Sequence, residues 1–203
     1  MTLSAYYAWL KRDWAKAGLL ISLFLLIFLF VFVRELDKVV FVLLLQTPLY
    51  MLHQAEEYVF PGGFGAFFNR DIFKLNPDTG PVDENFIFFI NIILIWIVLP
   101  FFGILSSFDY RLGLWLPYFS LFAGISHIIL AIKAGKLYNP GLVISLFVNI
   151  PFGIWSIIFL LEKGLLQNFF LNPFILIGIA LNALLPVLGV IILKKYKMKQ
   201  SLV

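Results

Sequence analysis

Six long apolar stretches, each closed by a turn or a cluster of charges, leave this chain few ways to fold. They run over roughly residues 17–33, 39–60, 86–105, 114–132, 142–161 and 174–193. A helix needs about 20 consecutive apolar residues to cross a bilayer. Pro61-Gly62-Gly63 closes the second stretch, Asn139-Pro140-Gly141 precedes the fifth and Asn172-Pro173 precedes the sixth. The chain is 62% hydrophobic and only 13% charged, against about half and a quarter in soluble domains. The expected fold is all-α: a polytopic membrane helical bundle of about six spans, one domain over residues 1–203, with the lipid bilayer as its first partner.

Charge and cysteine content narrow the functions. There are no cysteines, so disulfides, thiolate metal sites and cysteine nucleophiles are excluded. The net charge of +4 is spread over helix ends, which is not a nucleic-acid footprint. The run from Ala17 to Val33 follows Lys11, Arg12 and Lys16 like a signal peptide. It meets Arg34-Glu35-Leu36-Asp37-Lys38 with no small-residue cleavage site, and reads as a retained span. With the N-terminus inside, 11 of the 15 Lys and Arg fall on the inner side, so both termini are expected in the cytoplasm.

The loop 61–85 places Phe64, Phe67, Phe68, Ile72 and Leu75 near one helical face, with Asn69, Arg70 and Lys74 off it. This predicts a short interfacial helix, either an anchor or the lid of a cavity. Residues 1–16 show a similar pattern, with Leu3, Tyr6, Leu10 and Trp14 set against Lys11 and Arg12.

Polar residues inside the spans carry the functional signal, because burying them in lipid is costly. The second span ends in His53-Gln54-Ala55-Glu56-Glu57. At about 1.5 Å per residue, His53 lies roughly 10 Å inside the boundary and the two acids roughly 5 Å. His127, the only other histidine, reaches a similar depth in the fourth span. Asn91 and Asn149 fall within a few ångströms of that layer, and Asn182 lies nearer the midplane. His53 and Glu57, four residues apart, share a helix face. His127 shares its face with Ser120, Ala123, Gly124 and Ala131, and Asn149 lines up with Ser145, Gly153 and Ser156. Pro48 and Pro151 interrupt spans two and five and predict kinks.

The spacing His53-x-x-Glu56-Glu57 resembles the inverted zinc-peptidase pattern with its last His replaced by Glu. Carried over by position, His53 and Glu57 are metal ligands, Glu56 is the base, and His127 supplies the third ligand from another helix. Two His and a carboxylate leave a position open for water, which suits zinc first and non-haem iron(II) second. Asn91 and Asn149 then orient substrate or water, and the expected substrate is a lipid or another small hydrophobic molecule.

The same five residues resemble the signature of the HXXEE family of prokaryotic integral membrane proteins. The aromatic and Pro-Gly residues that follow and the turn Tyr138-Asn139-Pro140-Gly141 extend the likeness from about the second span to the fifth. That resemblance implies a prokaryotic membrane location but no reaction. Intramembrane glutamate proteases of the prenyl-protein type also carry adjacent glutamates, but their E-E-x-x-x-R pattern fails here, where Tyr58-Val59-Phe60-Pro61 follows Glu57. Sterol isomerases of the emopamil-binding type place similar residue types in a metal-free cavity. Proton- or ion-coupled transport remains open, since Gln46-Thr47-Pro48 and Asn149-Ile150-Pro151 fall at matching points of two three-span halves. A non-catalytic structural protein, with a hydrated helix end at the acids, is the plainest alternative.

Overall fold

The computed structural model describes residues 2–201, and every regular element among them is helical. Seven helices follow in order. They are α1 (Leu3–Val33), α2 (Lys38–Tyr58), α3 (Phe64–Phe67, prolonged by a wide turn over Phe68–Ile72), α4 (Glu84–Leu105), α5 (Tyr110–Ala134), α6 (Leu142–Glu162) and α7 (Pro173–Gln200). The helix starts follow local chemistry. Asp37 accepts from the backbone of Val39 and Val40, Asp83 from Phe86, and Asn172 from Phe174 and Ile175, each satisfying donors that a helix N-terminus leaves free. Gly135 ends α5 in the left-handed conformation, with φ 65°.

Five helices, α1, α4, α5, α6 and α7, are long and apolar enough to cross a membrane, which fits an integral membrane protein. The helix at the second expected span differs. α2 has 21 residues, but Gln46, Thr47, Pro48, His53, Gln54 and the two glutamates dilute its apolarity. It is the inner post of the bundle instead: 16 of those 21 residues are buried, and its neighbours rather than lipid cover it. α1, by contrast, exposes Leu20, Phe24 and Ile27 along its length.

One expectation about the ends of elements changes and another holds. Residues 3–16 form no separate interfacial helix. They continue into the first span, where Trp14 packs against Tyr58 and Trp96 at ring separations of 5.1 and 6.3 Å. The helix expected in the 61–85 loop is present as α3. Asn69 pins the rest of that loop back on it, accepting from the Val82 amide at 3.0 Å and donating to the Pro77 and Val82 carbonyls.

Two of the helix prolines follow a common local form. In α4 and α6, wide turns with i→i+5 hydrogen bonds at Ile92–Val98 and Ser145–Asn149 come directly before Pro100 and Pro151. A proline cannot donate to the ladder, and the widened turn redistributes the bonds around it. Pro48, in contrast, sits inside a regular stretch of α2.

Candidate metal-binding site and its cavity

His53 and Glu57 project from one face of α2 toward His127 on α5. The two imidazole rings lie 4.6 Å apart, so helices separated by 74 positions in the chain share one site. His53 Nε2 stands 3.1 Å from His127 Nε2. Glu57 Oε1 is 3.6 Å from the first and 3.4 Å from the second. Donor atoms about 2.0–2.1 Å from a tetrahedral ion stand about 3.3 Å from one another. The three atoms already have that spacing, and together they form a group that can hold a metal ion.

The hydrogen bonds behind the rings fix what the rings present. Asn139 Nδ2 donates to the His127 carbonyl at 2.9 Å, which turns Asn139 Oδ1 toward His127 Nδ1 at 2.7 Å. A carbonyl oxygen only accepts, so Nδ1 carries a proton, and in the neutral imidazole Nε2 is then a bare lone pair. Ser145 Oγ donates to the Gly141 carbonyl at 2.6 Å and stands 3.5 Å from His53 Nδ1, which orients His53 in the same sense. Two lone pairs and a carboxylate oxygen therefore converge in a buried space. One shared proton relieves a single pair of these atoms; a divalent cation relieves all three. A histidine whose far nitrogen donates to a carbonyl is also the usual outer arrangement of a metal ligand.

Glu56, expected to be the base, does not join this group. One residue of helix turns it about 100° away from Glu57. Its Oε1 accepts from the Val143 amide at 3.0 Å and from the Tyr138 hydroxyl at 3.1 Å, and its Oε2 from the Ile144 amide at 2.7 Å. The carboxylate thus caps the N-terminus of α6, where the helix dipole favours an anion. Burial and the neighbouring Glu56 charge push the Tyr138 hydroxyl up to about 12, so it stays a donor.

The two asparagines make no hydrogen bond to the group, although Asn91 lines the same cavity as Glu57 and His127. Asn91 Oδ1 accepts from Gln54 at 2.8 Å, and its Nδ2 donates to the Ile87 carbonyl and the Tyr58 hydroxyl. Asn149 is buried beside Gly124, and its Nδ2 has no partner.

Three residues of the turn before α6 support the site without having been singled out for it from the sequence: Tyr138, Asn139 and Gly141. The signal was an Asn-Pro-Gly turn twelve residues after His127. Asn139 is fully buried, which is unusual for a turn residue. Gly141 has φ 98°, and a β-carbon there would come within 2.5 Å of His127 Cε1 and 2.9 Å of His53 Cε1. Gly141→Ala should therefore lower stability by about 1–2 kcal/mol from the backbone alone and weaken metal binding by displacing both rings. Thermal unfolding and metal titration of the variant check this.

The open side of the group faces a cavity of about 320 Å³, within the range of small-molecule sites. Glu57 and His127 line it, whereas His53 lies behind them with no exposure. Phe64, Phe68 and Phe73 from the α3 segment form one wall, and Leu185, Pro186 and Val190 of α7 form another. Asn182, set apart by depth in the sequence, lines the same cavity. Its Nδ2 donates to the Phe119 and Gly178 carbonyls.

Comparison with known proteins places residues 44–156, more than half of the chain, in a family described as proteins of unknown function with an HXXEE motif. The chain belongs to that family. No curated protein and no solved structure matches it.

Proposed function

We propose that this HXXEE-family protein is a membrane-embedded enzyme whose His53, Glu57 and His127 hold one divalent metal, zinc first and iron(II) second. The observation that supports it is the convergence of two imidazole lone pairs and a carboxylate at tetrahedral spacing beside a cavity. A bound zinc ion would bring the pKa of a water in its open position near 7 and polarise a substrate carbonyl or phosphoryl oxygen. The chain's own part is to hold the ligands through Asn139 and Ser145 and to exclude bulk water with the α3 segment. The mainly apolar walls favour a lipid or membrane-bound substrate, and hydrolysis is the reaction such a centre best serves. We place both termini and the Lys133 end of the cavity on the cytoplasmic side of a prokaryotic membrane, with α2 as the sixth, inner span.

Elemental analysis of the purified protein tests the metal reading, with about one zinc or iron per chain expected. A protein carrying no metal after equilibration with either ion would end it.

A second reading is proton- or ion-coupled transport. It draws on buried atoms without partners at Gln46 Oε1, Thr47 Oγ1 and Asn149 Nδ2, on α2 and α6. Gln46 also donates to Ser156 at 3.0 Å, so polar groups extend from His53 toward the far end of α6. Unpartnered buried groups of this kind are sites for internal water. Reconstituted into vesicles, an enzyme should turn over lipid without proton flux. Flux that is lost on Asn149→Leu would favour transport instead.

A further inference from the structure

The cavity has two unlike ends, and the three-residue group lies between them. Along α5 it is lined by Ala123, Ser126, His127, Leu130 and Lys133, a stripe at helical spacing. Ala123 to Lys133 covers about 15 Å at 1.5 Å per residue. The cavity of about 320 Å³ lies along this stripe, and its walls are mostly apolar, which suits a hydrocarbon chain. Asn182, which donates to the Phe119 carbonyl at 3.0 Å, also lines the cavity.

The other end is cationic. Lys133 stands in the last turn of α5 at the cavity wall, and among the described residues no carboxylate forms an ion pair with it. The Arg70 guanidinium, bonded to Asp71 at 2.7 Å, holds that carboxyl below its ordinary range, and the charges of Lys136 and Lys74 act in the same direction. Arg70, Lys74 and Lys136 thus act on one acid, Asp71, which adjoins Ile72 and Phe73 of the cavity wall. His127 lies six residues, about 9 Å, further in.

We propose that the cavity binds an amphiphile with a hydrocarbon chain and an anionic head, with the head at Lys133 and the chain directed inward past His127 and Glu57. A bond about 9 Å inside the head then meets the three-residue group. The proposal rests on the reading of that group as the reactive centre. The apolar cavity selects the chain, and the cationic end selects the charge and fixes the orientation. A lysine at a helix end also complements the helix dipole with no ligand present, and the experiment separates the two roles.

Full-length protein loaded with zinc, in nanodiscs of uncharged lipid, is titrated with dodecyl phosphate, dodecanoate and dodecanol, and bound ligand is counted by native mass spectrometry. Both anions should bind about five- to tenfold more tightly than dodecanol, and the stronger of the two identifies the head chemistry. Lys133→Gln should abolish the preference and leave the metal content unchanged. Ser126→Phe or Leu185→Trp, which fill the cavity, should reduce binding of all three probes. Equal binding of dodecanol and the anions overturns the proposal. So does a preference that survives Lys133→Gln but vanishes in Glu57→Gln, because the head then sits on the metal. Binding untouched by both cavity-filling variants overturns it as well. Metal content is measured separately: anion selectivity in a protein that takes up no zinc would refute the metal centre and leave the binding site standing.

Discussion

His53→Ala should leave the purified protein with less than about a tenth of the wild-type metal, and His127→Ala should do the same. The expected loss of affinity exceeds the roughly 10–100-fold typical of changes outside the ligand shell, because each substitution removes one of three donors. The two variants should be equally poor although they lie on different helices, since Nε2 of each ring stands within 3.6 Å of Glu57 Oε1. Removing His53 also leaves a fully buried hole between α2 and α5, whereas His127 borders the cavity. His53→Ala should therefore unfold at lower temperature than His127→Ala even where their metal contents match. Inductively coupled plasma analysis and thermal unfolding on the same samples check both statements. Full metal content in either variant would show that the ring is not a ligand. Because these ligands would bind metal as neutral imidazoles and a carboxylate, chelator-induced release should quicken as pH falls and protons compete for the same lone pairs.

Glu56→Ala is the second large effect, of a different kind. Its carboxylate accepts three hydrogen bonds from the start of α6 and from Tyr138. Bonds to a charged acceptor contribute about 1.5–3 kcal/mol each. They are not additive, but a loss of about 3 kcal/mol or more is expected. The turn thus released carries Asn139 and Gly141, which hold and shield the histidine rings, so metal affinity should fall about 10–100-fold. Glu56→Gln keeps one acceptor oxygen and should recover part of both losses. Chelator competition and thermal unfolding measure them. If Glu56 were instead the catalytic base, Glu56→Ala would abolish turnover and leave metal affinity as in the wild type.

The contrast between Glu56 and Glu57 shows where sequence reasoning stopped. The i, i+4 spacing of His53 and Glu57 was enough to pair them on one face, because helix geometry is local. The shared depth of His127 followed from the alternation of apolar segments. Glu56, one residue away, was assigned to the same site because nothing in the sequence says which neighbour lies against each side of α2. In the fold α5 meets the His53–Glu57 face and the start of α6 meets Glu56. Asn139 escaped notice for the same reason: its turn is folded into the interior, where it reaches back to His127 across twelve residues. Asn182, nearer the midplane by depth, lines the cavity because α7 runs beside α5.

The sequence by itself determined that the chain is helical and apolar enough for a membrane, roughly where its long helices lie, and that two histidines and a glutamate lie at similar depth. Those properties depend on hydrophobic length, capping and helical period, all set by residues within a few positions of one another. Only the tertiary structure decided that the three side chains meet within 3.6 Å, that the neighbouring acid is a clamp on α6, and that an apolar cavity opens beside the site. These are consequences of which helix faces pack together, and packing is fixed by contacts between residues tens of positions apart in the chain.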